Sequence, residues 1–189
     1  MLQVVTPPVL PVVTTVEAKR HLHVDFDDDD LYIDSLVEAA VANLNGPAGW
    51  LGISLRSQVL MLTLDRFPCG RGLLNIPLPP LVSVDLIEYT DLTGGSATYL
   101  GHRARGVGAS FGGYILPAAA ENWPSTYCEP GAVRITFTAG YAAVPKSIKQ
   151  AILLMVAHWY ENREETSAIK LVNMPTAAKS LLMPHRCWR

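Results

Sequence analysis

Three things are scarce in this sequence, and each scarcity removes a class of function. Positive charge is not in excess, since 15 Lys and Arg stand against 17 Asp and Glu for a formal net charge of -2. A protein that holds nucleic acid mainly by releasing counterions needs a cationic field, so that mode of binding is not expected of the chain as a whole, although a local basic patch stays open. Cysteine is represented by Cys69, Cys128 and Cys187 alone, an odd number set far apart. Such usage fits free thiols in a reducing cytoplasm and not a secreted disulfide framework. Long apolar runs are also missing: the longest candidate, residues 151–157, soon meets Glu161, Arg163, Glu164 and Glu165. A membrane span needs about 20 apolar residues, so no membrane segment is expected.

What the chain does have is material for a core. With 189 residues, 49% of them apolar, it can bury one substantial core, and intrinsic disorder is a poor description. Its first residues lack a basic stretch and carry Pro7, Pro8 and Pro11, which argues against a signal peptide. Proline fixes φ and removes an amide donor, so this segment reads as an extended arm able to lie on a neighbour.

Periodicity divides the remainder. Thr14 followed by Glu17 has the spacing of a capping box and predicts a short helix to about Leu22. Asp25 and then Asp27, Asp28, Asp29 and Asp30 stand where the next helix begins, a place where its positive dipole end favours carboxylates. Ile33, Leu36, Val37, Ala40, Val41 and Leu44 then mark one buried stripe, ended by Asn45, Gly46, Pro47 and Gly49. Residues 57–64, 74–78, 82–89 and 132–138 are short β-branched or alternating runs between Gly, Pro and Asp clusters, the pattern of antiparallel strands. Residues 101–130 read as a long loop with one short strand near 114–116.

After Pro145 a long helix is predicted over 146–164, apolar almost all round: Ile148, Ile152, Met155 and Trp159 line one face, and Leu153, Val156 and Tyr160 the next. Such a helix must be covered on more than one side, by its own chain or by a neighbouring subunit. A last short helix over 176–182 precedes the terminal residues.

Catalytic and metal motifs are weak. Gly108-Ala109-Ser110-Phe111-Gly112 matches the G-x-S-x-G nucleophile elbow, but that chemistry needs a strand before the serine and a helix after it. Glycines and arginines precede this serine, and Gly113 and Pro117 follow it. His21 and His23 form an H-x-H with no further ligand at zinc spacing, and the acidic run lacks the glycine and glutamate of a calcium loop. His158, beside Trp159, reads as a core or interface histidine. Gly106-Val107-Gly108 lacks the third glycine of a dinucleotide site, and no P-loop is present. The expectation is a protein with no catalytic residue, metal or cofactor.

Three segments together resemble the head-tail connector, or adaptor, proteins of long-tailed phages, related prophages and phage-like gene transfer particles. The first runs from Thr15 through Leu22-His23-Val24-Asp25 into Asp28-Asp29-Asp30-Leu31-Tyr32-Ile33, a short helix with an L-x-V-D step leading to an acidic cap. The second is Phe137-Thr138-Ala139-Gly140-Tyr141, then Val144-Pro145, Ile148-Lys149-Gln150-Ala151-Ile152 and His158-Trp159-Tyr160-Glu161-Asn162-Arg163-Glu164. The third is Leu181-Leu182-Met183-Pro184-His185-Arg186-Cys187-Trp188. Residues 43–52 and 101–130 depart from the family pattern.

The resemblance implies an α+β fold: a helical connector core of two N-terminal helices (14–45) and a long helix (145–165), with an antiparallel β module (55–141) inserted and a terminal helix and docking tail (171–189). It implies a structural virion protein, made in the host bacterial cytoplasm, whose copies form a ring, dodecameric in the family, between the portal and a downstream tail or stopper protein, with genome DNA passing through unread. It further implies that Met183, Pro184, His185, Arg186, Cys187, Trp188 and Arg189 dock on the portal. Ile148, Ile152, Met155, Val156, Trp159 and Tyr160 are expected to build the subunit core and contact, while Asp27, Asp28, Asp29 and Asp30 are candidates for the channel lining. The rival readings are another virion ring protein, such as a tail terminator or completion protein, and a hydrolase using Ser110.

Overall fold

A computed structural model describes residues 1–110, 112–162 and 174–187. In chain order its elements are β1 (Leu2–Thr6), α1 (Thr15–Leu22), α2 (Asp30–Leu44), β2 (Gln58–Leu64), β3 (Leu74–Ile76), β4 (Leu81–Thr90), β5 (Ser96–Thr98), β6 (Arg103–Arg105), β7 (Gly113–Leu116), β8 (Val133–Ala139), α3 (Lys146–Glu161) and α4 (Thr176–Leu182), followed by a 3-10 turn over Met183–His185. The mixed α+β class expected from the sequence is the one observed. Of the expected spans, residues 163–165 of the long helix and 171–173 of the terminal unit lie outside the described residues.

The helices begin and end for local reasons. Thr14 Oγ1 accepts from the Glu17 amide at 3.2 Å while Glu17 Oε2 accepts from the Thr14 amide at 3.0 Å, so the first orphan donors of α1 are satisfied reciprocally. His23, at φ 57°, closes the helix in the left-handed conformation. In α2, Ile33, Val37, Ala40 and Leu44 are fully covered, the i, i+4, i+7, i+11 face of the predicted stripe. Its start differs from expectation: Asp29 is the N-cap, but no side chain there caps the helix by a hydrogen bond. Asp29 instead accepts from the Tyr160 hydroxyl, and its neighbours Asp27 and Asp30 pair with Lys19 of α1 at 2.6 and 2.7 Å.

The helices form one core and the strands another. Ile148, Ala151, Ile152, Met155 and Val156 of α3 pack with Ile33, Val37 and Leu44 of α2, Ala18 of α1, and Ala178 and Leu182 of α4. The second core lies between two antiparallel sheets, a five-stranded one in the order β1-β2-β8-β4-β5 and a three-stranded one in the order β3-β7-β6. Alternation decides which side of a strand goes in: Val133, Ile135, Phe137 and Ala139 of β8 are buried, whereas Arg134 between them is exposed. Ile76 and Ile115 meet this layer from the smaller sheet, and Trp123 stacks on Phe67 with ring centroids 4.8 Å apart.

Two expectations are corrected. The N-terminal arm lies on its own subunit, since β1 pairs with β2 through Leu2↔Leu62, Gln3↔Met61 and Val4↔Leu60. The long loop holds two strands and not one, a β6–β7 hairpin in which Ala104 faces Ile115. An Arg-Ala-Arg strand with a single small apolar residue has too little alternation to be read from the sequence.

The two cores meet where the chain passes from β8 towards α3. Gly140 has φ +116°, and a Cβ there would run into the backbone of Arg56. Glycine is therefore needed at this step for both its conformation and its lack of a side chain. Gly140→Ala is expected to lower the unfolding free energy by about 1–3 kcal/mol, read by chemical denaturation; an unchanged midpoint would contradict the close approach.

Candidate docking and subunit surfaces

The residues singled out for contact fall into three places. On α3, Ile148, Ile152, Met155 and Val156 are buried inside the subunit, while Trp159 and Tyr160 at the far end of the helix are half-buried. Cover for this helix therefore comes from α1, α2 and α4 of the same chain. The Tyr160 hydroxyl donates to Asp29 Oδ2, and its ring lies 6.0 Å from that of Tyr32, so the C-terminal end of α3 is held against the start of α2.

Polar clasps fix the other helix contacts. Lys149 Nζ, one turn into α3, donates to Glu17 Oε1 at 2.9 Å and joins α3 to the cap of α1. The Glu17 carboxyl is held below its ordinary pKa first by the hydrogen bond from the Thr14 amide and then by Lys149. Lys19 Nζ lies 2.6 Å from Asp27 Oδ1 and 2.7 Å from Asp30 Oδ1. Those two carboxylates, Asp27 first, raise the lysine's pKa, and Lys19 in turn lowers that of Asp27. Thr15 Oγ1 donates to Asp34 of α2. Of the four aspartates proposed from sequence as a channel lining, Asp27 and Asp30 are thus paired with Lys19, Asp29 is bonded to Tyr160, and Asp28 is exposed.

The terminal segment is anchored on its own subunit as far as it is described. His185 Nε2 is 2.7 Å from Ser147 Oγ at the start of α3. Arg186 lies over the Trp50 ring with its guanidinium carbon 4.5 Å from the centroid, a cation–π geometry. The Cys187 amide donates to the Leu51 carbonyl at 2.9 Å. Met183 and Pro184 are exposed, and Trp188 and Arg189 lie outside the described residues.

Sequence reasoning passed over the residues that make these contacts, above all Trp50, Lys149 and Arg56. Arg56 donates from Nη2 to the Pro11 carbonyl at 2.6 Å and from Nη1 to that of Ala142 at 3.2 Å, tying the proline segment to the chain before α3. Beside it a groove of about 530 Å³ runs between Pro8, Val9 and Leu10 on one wall and Val37 and Val41 of α2 on the other. Lys149 stands among Lys146, Ser147 and Gln150 in the polar start of α3, so nothing in its local pattern marks it as a partner of α1.

The discounted chemistry can also be placed. Ser110 is exposed on the turn between β6 and β7, and Phe111 of the same motif lies outside the described residues. No hydrogen bond joins Ser110 to a histidine among the described residues, and none of their His, Cys, Asp and Glu side chains gather in threes as a metal site would require.

No protein-family model and no curated protein matches the chain. Solved structures do. A chain in the neck of an empty gene transfer agent (GTA) particle, computed with C6 symmetry, is 25% identical with a TM-score of 0.78, and the match covers 100% of this chain and 96% of that one. A chain in the virion of the native GTA particle gives the same figures, 25% and 0.78, with the same coverage. A chain in the neck of the native particle, computed with C12 symmetry, is 26% identical with a TM-score of 0.77 and again covers 100% of this chain and 96% of that one. The resemblance read from the sequence is borne out over the whole fold: this is the fold of a phage or GTA head-tail neck protein.

The Glu17 clasp carries a pH dependence with a definite sign. A carboxyl whose folded pKa is lowered adds stability that is complete above its ordinary value of 4.5 and is lost as the pH falls through the lowered folded value. Glu17→Gln is expected to cost about 0.5 kcal/mol at neutral pH, the scale of a solvent-screened pair, and to flatten the acid side of the stability profile. Thermal melts of both proteins from neutral to acid pH check this; parallel profiles would contradict it.

Proposed function

We propose that this chain is a structural subunit of a virion neck, an adaptor whose copies form a ring between the portal and the tail and extend the channel through which genome DNA leaves the head. The observation that carries this reading is the match over the full chain to neck chains of GTA particles. Those assemblies were computed with C6 and C12 symmetry, which supports a ring of identical subunits. Nothing in such a role requires a bond to be made or broken.

In this reading the terminal segment docks on the portal. The described part gives it a firm base: His185, Arg186 and Cys187 are held by Ser147, Trp50 and Leu51, while Met183 and Pro184 face outward. Trp188 and Arg189 follow directly from that base, and tryptophan and arginine are residue types often found as interface anchors. Of the seven residues expected to dock, His185, Arg186 and Cys187 already bond within the subunit, so that part of the segment has met most of its entropy cost of ordering.

DNA sliding through the ring must not be gripped. The net charge of -2 supports a neutral or mildly acidic lining, and Asp28 is the member of the acidic run best placed to contribute to it, since Lys19 offsets Asp27 and Asp30. Purified protein is expected to show no tight duplex binding that falls steeply with salt; such binding in a filter or fluorescence assay would contradict the proposed lining.

Deleting Trp188 and Arg189 is expected to leave the subunit folded while abolishing its attachment to portal-bearing heads. Circular dichroism and cosedimentation with heads read the two effects separately. Attachment at the normal level would refute portal docking by these residues. For the ring itself, cryo-electron microscopy of particles should find this chain directly beneath the portal; its absence from the neck would overturn the proposed function.

A further inference from the structure

We propose that the two edge strands of the five-stranded sheet, β1 and β5, pair with each other between neighbouring copies, so that the sheet continues from subunit to subunit around the ring. This rests on the ring reading above and adds to it the surfaces through which the ring closes.

The strand order leaves β1 and β5 at the ends of the sheet, with no further strand on either among the described residues. Free edges offer a row of backbone donors and acceptors to any passing strand, and natural proteins blunt them with charge, proline, bulges or short strands. Of these, charge and proline are absent from both edge strands. The first charged side chain of the sequence is Glu17, well beyond β1, and none occurs between Asp91 and His102, the stretch that contains β5. The irregular step between Val4 and Thr6 confines the regular edge of β1 to Leu2, Gln3 and Val4, which matches the three residues of β5.

Exposed apolar side chains flank both edges. On β1, Val4 is 58% exposed and Val5 53%; beside β5, Leu92 is 67% exposed and Leu100 84%. Apolar side chains left this open next to unpaired backbone mark a contact surface and not a solvated one. The two edges are matched in the sense that matters for burial, because neither would strand a charged side chain against the other.

Direction and symmetry then select the partner. β1–β2, β2–β8, β8–β4 and β4–β5 are all antiparallel, so four reversals leave β5 running the same way as β1. A ring is generated by rotation and needs a heterologous contact, one surface of a subunit against a different surface of the next. The opposite edges of a single sheet are such a pair, and they would meet as a short parallel ladder. Pairing of β1 with β1 of another copy would instead be isologous and stop at a dimer.

The test is a charge swap in assembled particles. Val4→Lys and Ala97→Glu each place a charge on one edge, and each alone should lower the amount of this chain per particle roughly tenfold. The double variant sets the two charges against each other and should recover most of the loss. Quantitative mass spectrometry against a head protein measures incorporation, and thermal unfolding of the purified subunits establishes that they fold. If either substitution prevents folding, Gln3→Lys and Ser96→Glu, at exposed polar positions on the same edges, take their place. Single variants that incorporate normally, or a double variant no better than the worse single one, would overturn the inference. So would loss with the β1 variant alone, which would indicate β1–β1 pairing. A wild-type particle with a ring of this chain and indifferent variants removes only the edge pairing, whereas a particle with no such ring removes the proposed function as well.

Discussion

Everything in the helical half of this molecule follows from the need to cover α3. Ile148, Ala151, Ile152, Met155 and Val156 form a broad buried stripe along that helix, and full burial of each larger side chain is worth about 1.5–3 kcal/mol. One neighbouring helix cannot cover so broad an apolar surface. The chain brings three, with α2 and α4 in the largest contacts and α1 bridging the remaining flank. The terminal residues through Cys187 are placed by the same requirement, because α4 has to be held where Ala178 and Leu182 reach the core.

Apolar cover is not directional, and the polar clasps supply the direction. Glu17–Lys149 sets the start of α3 against the cap of α1, and Asp29–Tyr160 sets its end against the start of α2. Lys19 gathers Asp27 and Asp30 so that the turn between α1 and α2 is closed by opposite charge. Surface pairs of this kind add little energy, but each lies at a helix end, where an error in packing register would separate the partners. The acidic run is in this way largely a structural device.

The β half has a core separate from that of the helices. Gly140 lets the backbone after β8 pass close to Arg56, and Arg56 ties the carbonyls of Pro11 and Ala142 to the same place. The helical bundle thus has a stable base, while the five-stranded sheet keeps its two edges outward.

Elements whose residues repeat a strong local pattern were legible in the sequence. The Thr14–Glu17 cap, the stripe from Ile33 to Leu44, the four main strands and the helix after Pro145 are each specified by neighbours a few residues away, so spacing alone reveals them. The buried members of α3 were legible for the same reason. What only the tertiary structure decided were pairings between distant residues: β1 on β2, the hairpin of β6 with β7, the strand order of the sheets, Arg186 on Trp50, and Tyr160 on the Asp29 cap. Such contacts depend on which surfaces are brought together after the local elements form, and a charged or small residue carries no mark of the partner it will meet. Local pattern therefore determined the main helices and strands and the core-facing side of each, and tertiary packing decided which edges and charges found partners within the subunit.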